Sequence, residues 1–90
     1  YKVGRRDYGG TAYGWALDDR SSFAKVLVCA ETGLILGAHV IGPQAATLIQ
    51  QIAQAMTFDL TAEQVAHAQI WAHPALPEVL ENALLDALGA

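Results

Sequence analysis

The chain reads as an α+β domain, an antiparallel β-sheet followed by two or three helices. Strand-type runs fall within residues 1–41, and apolar stripes at spacings of three and four fall within residues 45–88. Gly- or Pro-bearing turns separate the runs. Hydrophobic residues make up 53% of the 90 positions and charged residues 16%, the composition of a single folded domain.

Two short β-type runs, Tyr1–Asp7 and Thr11–Leu17, are expected around the Gly9-Gly10 turn, with Tyr8, Tyr13 and Trp15 favouring strand. Phe23–Ala30 alternates strictly. Ala24, Val26, Val28 and Ala30 lie on one face and Phe23, Lys25, Leu27 and Cys29 on the other. Both faces are mostly apolar, so this run predicts a central strand covered on two sides. Glu31-Thr32-Gly33 then leads into Leu34–Ile41, which makes a hairpin, with Gly37 marking a bulge or a close backbone approach.

Gly42-Pro43 stops the strand and permits a helix. Ala45, Leu48, Ile49, Ile52, Ala53 and Met56 form its apolar stripe, while Gln44, Gln50, Gln51 and Gln54 give an uncharged polar face suited either to an interface or to solvent. Thr61 can cap a short second helix with Gln64 three residues on. The last helix carries Leu76, Val79, Leu80, Ala83, Leu84, Ala87 and Leu88 on one stripe and stops at Gly89.

The formal charge is −4, and the one adjacent basic pair, Arg5-Arg6, is followed by Asp7. Such a balance argues against a nucleic-acid or anionic-membrane surface. No run approaches the roughly 18 apolar residues of a membrane helix, and no signal-peptide pattern opens the chain. A soluble, cytoplasmic domain is expected. Met56 is the only methionine, so the chain is expected to be a processed product or a piece of something longer. A domain this small buries only about 60% of its unfolded surface. An apolar fraction of 53% then implies a rich core or a face covered by another chain.

Few residues offer chemistry. His39, His67 and His73 lack the close Cys/His pairing of a zinc site, and no metal is expected. Cys29 in an apolar strand reads as a small inert hydrophobe. His39, facing the same way as Ile35, Gly37 and Ile41, reads as a partly buried histidine satisfied by a neighbour; His67 reads as surface. His73 differs in its setting. Within one regular helix His73 and Glu78 would stand about 140° apart and never meet. With Pro74 forcing His73 towards extended backbone ahead of the helix, Glu78 in the first turn can reach back to the ring. A carboxylate on one imidazole nitrogen sets the tautomer and raises the basicity of the other, as in a general acid/base. A helix-entry histidine without chemistry remains the commoner case for such a residue.

At these residues the sequence resembles the C-terminal dimerisation domain of the flavoprotein pyridine nucleotide-disulfide oxidoreductases. Lys25–Pro43 looks like the family's hairpin running into Gly-Pro and the interface helix, and Trp71–Glu78 (WAHPALPE) looks like its His-Pro-x-x-x-Glu signature. Ile70–Glu78 looks most like the mycothione reductase branch. Dihydrolipoamide dehydrogenases typically have a second His at the position of Trp71 and Thr-x-Ser where this chain has Ala75-Leu76-Pro77. The resemblance implies that His73, oriented by Glu78, is a catalytic acid/base serving the thiol–disulfide site of the partner subunit in a homodimer. It also implies that His73 and Pro74 touch the partner's flavin, with FAD and NADPH belonging to a full-length parent and mycothione the substrate. No GxGxxG phosphate loop and no second Cys are present, so residues 1–90 are expected to be a C-terminal fragment, inactive alone. The alternatives are a dihydrolipoamide dehydrogenase, glutathione reductase or mercuric reductase relative, or a purely structural dimerisation module.

Overall fold

A computed structural model describes residues 1–89. Strands β1 (Lys2–Asp7), β2 (Phe23–Val28) and β3 (Ile35–Ile41) form a three-stranded antiparallel sheet in that order, so β2 is central as its sequence predicts. A 3-10 turn (Tyr8–Gly10) and helix α1 (Ala12–Ala16) separate β1 from β2, and α2 (Ala45–Thr57), α3 (Ala62–His67) and α4 (Glu78–Leu88) follow the sheet. The α+β class with helices after the sheet is the one expected.

The core lies between one sheet face and the helices. Ala24, Val26 and Val28 of β2 meet Val79, Leu80, Ala83 and Leu84 of α4, all buried. Side chains of this kind contribute about 1.5–3 kcal/mol each when fully buried, apart from the smaller alanines. Helix α4 reaches β1 so closely that a Cβ on Gly4 would overlap the Ala83 carbonyl oxygen and crowd Ala87, so only glycine fits. The Asp86 carboxylate accepts the Arg5 backbone N–H at 2.9 Å and ties the same two elements.

Several expectations are corrected. Thr11–Leu17 does not form a strand, because Thr11 starts a helix: its hydroxyl accepts the Gly14 N–H at 3.2 Å and donates to the Tyr8 carbonyl at 2.8 Å. Gly14 then packs against the Tyr8 backbone, where a Cβ would overlap the Tyr8 carbonyl oxygen. Tyr8 is fully buried, while Trp15 is 78% exposed. The second face of β2 is only half-covered, since the long helices lie on the other side; Phe23 is roofed by the Arg5 guanidinium 3.8 Å from its ring centroid. Cys29 lies just past the end of β2, not buried within the strand.

The β-bulge expected near Gly37 is present, and it moves His39. Leu27 pairs with Gly37 but Val28 pairs with Ile35, leaving Leu36 as the extra residue. Ile35 points to the core, yet beyond the bulge Ala38 and Val40 take that side. His39 therefore stands exposed opposite Lys25 and not beside Ile35. On α2 the buried stripe is Leu48, Ile52 and Ala55, with Ile49 packed against it; Ala53 and Met56 are exposed. Much apolar surface stays open, including Val3, Leu36, Ile41 and Phe58.

Candidate active site

The site is built where α3 gives way to α4. Thr61 and Gln64 form the expected reciprocal cap of α3: the Gln64 N–H donates to the Thr61 hydroxyl at 3.1 Å, and the Thr61 N–H to the Gln64 side-chain oxygen at 2.9 Å. The Ala62 N–H donates to the Gly33 carbonyl at 2.8 Å and fastens the helix to the β2–β3 loop. After Ala68 the chain runs without regular structure to Pro77, which opens α4 with φ −54°. Leu76 is buried and anchors this end of the loop against the core.

His73 lies outside the helix, as its meeting with Glu78 requires. Nδ1 of His73 stands 2.8 Å from Oε1 and 2.9 Å from Oε2 of Glu78, and the Ala75 backbone N–H donates to Oε1 at 3.1 Å. The His73–Pro74 peptide is cis. The two side chains differ in exposure, His73 at 66% and Glu78 at 14%, so the carboxylate is embedded and the ring is presented. Burial by itself raises the Glu78 pKa. The hydrogen bonds from His73 and Ala75 and the charge of the His73 ring outweigh it, and the pKa falls below the ordinary carboxylate value. Glu78 also occupies the first turn of α4, where the helix dipole favours an anion. One turn on, burial and then the Glu78 charge raise the Glu81 pKa.

With Nδ1–H directed to the carboxylate, the neutral ring keeps its lone pair on Nε2, the nitrogen not engaged by Glu78. Such an imidazole can take a proton from a thiol and return it to a thiolate. The other histidines are elsewhere: His67 is exposed with Nε2 3.8 Å from Glu63, and His39 is on the outer sheet face. Cys29 is half-buried, and hydrogen bonds from the Thr32 hydroxyl and the Thr32 and Glu31 N–H groups lower its thiol pKa to about 7. Two loop contacts were not foreseen. Gln69 donates from Nε2 to the Val65 carbonyl at 2.8 Å, and Trp71 from Nε1 to the Ala66 carbonyl at 3.1 Å. Their signal was side-chain donors placed just beyond a helix C-terminus, where backbone carbonyls lack partners.

A three-stranded sheet backed by helices, with so much apolar surface open, has the architecture of an interface domain. The chain belongs to the pyridine nucleotide-disulphide oxidoreductases: the model of that family's dimerisation domain matches residues 1–84. It is 55% identical over 80 residues to a mycothione reductase of Mycobacterium tuberculosis, which spans 89% of this chain and 17% of that protein. It is 35% identical over 88 residues to a dihydrolipoyl dehydrogenase of Rhizobium etli, covering 98% of this chain and 18% of that one. The fold matches the crystal structure of LpdA from Mycobacterium tuberculosis with a TM-score of 0.86 at 24% identity, over 92% of this chain and 18% of that one. The chain thus spans less than a fifth of the length of these relatives. No helix among the described residues is long and apolar enough to cross a membrane.

Proposed function

We propose that residues 1–90 are the C-terminal interface domain of a larger cytoplasmic, FAD-dependent and NADPH-using disulfide reductase acting on mycothione. In this reading His73 and Glu78 complete the thiol–disulfide site of the partner subunit in a homodimer, and the domain is inactive alone. The observation that carries it is the His73–Glu78 pair, an exposed ring held at Nδ1 by an embedded carboxylate. The 55% identity to a protein named mycothione reductase favours that substrate over lipoamide, since matches to dihydrolipoyl dehydrogenases stand at 35% and 42%.

The residues fit a flavin only at its edge. His73 and Pro74 are exposed, whereas the surface clefts lined by Arg5, Arg6 and Arg20 and by Phe58, Leu60 and Gln64 lie elsewhere. This chain therefore offers a flavin held by the partner a contact and not an enclosing pocket. When bound, the flavin supplies the electrons, drawn from NADPH, that keep the site's cysteine pair reduced. With Cys29 alone, this chain cannot provide that pair.

The chain's own residues then handle the proton. Nε2 of His73 removes it from the attacking thiol, because thiolate is the nucleophile. The new S–S bond forms to one sulfur of the substrate as the old S–S bond breaks, and the departing thiolate takes the proton back from Nε2–H. Glu78 holds Nδ1–H throughout and stabilises the imidazolium between the two transfers. Replacing His73 with Ala in the complete reductase tests the reading. Turnover should fall at least a hundredfold, on the order of an acid/base contribution, with the dimer retained. Undiminished turnover refutes the reading, and loss of the dimer with the same turnover per remaining dimer makes His73 structural.

A further inference from the structure

We propose that Trp71 is a positioning residue for His73: its indole N–H, bonded to the Ala66 carbonyl, fixes the loop that carries the histidine. The inference rests on the acid/base reading of His73 given above. From His67 to Pro74 every residue is exposed except Trp71, and Ile70 is 98% exposed. Trp71 packs against the core cluster and donates to Ala66 at 3.1 Å, so it is the one point in this stretch seated in the protein. The Gln69 bond to Val65 lies farther from His73 and involves an exposed residue.

Glu78 does not replace this anchor. A hydrogen bond at Nδ1 sets the tautomer, but the ring can still swing about the carboxylate and carry Nε2 with it. The position of Nε2 also depends on where the backbone delivers the ring. On the far side of His73 the chain is held by Leu76 and by the Ala75 N–H on Glu78. On the near side Trp71, two residues away, is within about 7 Å of chain and is the first fixed point. Acceptance by Ala66 is also free of competition, because α3 ends at His67 and leaves such carbonyls without helical partners.

The test is made in the complete reductase. Trp71→Phe keeps a ring in the seat and removes the donor. It should lower kcat about ten- to a hundredfold, the cost of a misplaced catalytic group, with KM for the disulfide within about twofold. Reduction of the flavin by NADPH and the thermal midpoint should stay near wild type. Because Trp71 acts through His73, the substitution should cost nothing further in a His73→Ala background. Trp71→His, which restores a ring N–H donor, should recover most of kcat. A Trp71→Phe enzyme with wild-type kcat, or one whose loss multiplies that of His73→Ala, overturns the proposal while leaving the role of His73 standing. Wild-type turnover in His73→Ala itself removes both. If Trp71→Phe fails to fold, the same coupling is read from Trp71→Leu, which also lacks the donor, with and without His73→Ala, and a multiplied loss there overturns it equally.

Discussion

Glu78→Gln isolates the charge in the His73 pair. The amide keeps the size of the side chain and one carbonyl oxygen, so the Ala75 N–H, now 3.1 Å from Oε1, retains an acceptor. What disappears is the negative charge facing Nδ1 at 2.8 and 2.9 Å. A hydrogen bond to a charged group is worth about 1.5–3 kcal/mol net. Because the His73 side chain is 66% exposed, solvent screening puts the expected loss at the low end, about 1.5–2 kcal/mol. At 1.36 kcal/mol per decade this is about a ten- to thirtyfold fall in kcat/KM, read as disulfide-dependent NADPH oxidation by the complete enzyme. The pH dependence has a defined sign. The Glu78 pKa is lowered in the folded state, so its stabilising effect is present above the ordinary carboxylate pKa and is lost as pH falls through the folded value. Glu78→Gln should therefore flatten the acid side of the stability profile. A variant with turnover within twofold of wild type and an unchanged acid limb would refute the idea that the carboxylate supports His73.

Other outcomes follow from the same geometry. Gly4→Ala forces a Cβ into the Ala83 carbonyl and should cost about 3 kcal/mol or more, seen as a lowered urea midpoint; an unchanged midpoint means β1 and α4 are not so close. Thr61→Ala removes the cap of α3 and should cost about 1 kcal/mol in the same assay, while Thr61→Ser should cost much less. The Cys29 thiol, with a pKa of about 7, should reach half its maximal alkylation rate by iodoacetamide near neutral pH, and Thr32→Ala should move that midpoint upward. A midpoint near the ordinary thiol value in the wild type would mean that the Thr32 hydrogen bonds are absent in solution.

What the sequence conveyed was local and periodic. The β2–β3 hairpin was readable because alternation in Phe23–Val28 and the turn before Leu34 agree, and α4 because five buried residues repeat at three and four. The His73–Glu78 contact was readable because Pro74 excludes a continuous helix. Failures came where a specific contact, and not periodicity or propensity, decided the conformation. Tyr13 and Trp15 favour strand by propensity, but the Thr11 cap and the fit of Gly14 on Tyr8 select a helix. One inserted residue, Leu36, reversed the facing of His39, a change no period-two reading carries through. The stripe on α2 turned towards Ala55 because the side facing β3, and not the richest apolar spacing, is the side buried. Gln69 and Trp71 escaped because their acceptors are backbone carbonyls, which a sequence does not distinguish.

The central claim is that His73 serves a site whose thiols belong to the partner subunit. Mixed dimers test it: one subunit carries His73→Ala with its redox cysteines intact, and the other carries His73 with those cysteines replaced by Ser. Each parent homodimer should be inactive. In the mixed dimer one of the two symmetry-related sites joins the intact thiols to the partner's histidine, so about half of wild-type turnover should return. If the mixed dimer forms and remains as inactive as its parents, His73 does not act across the interface.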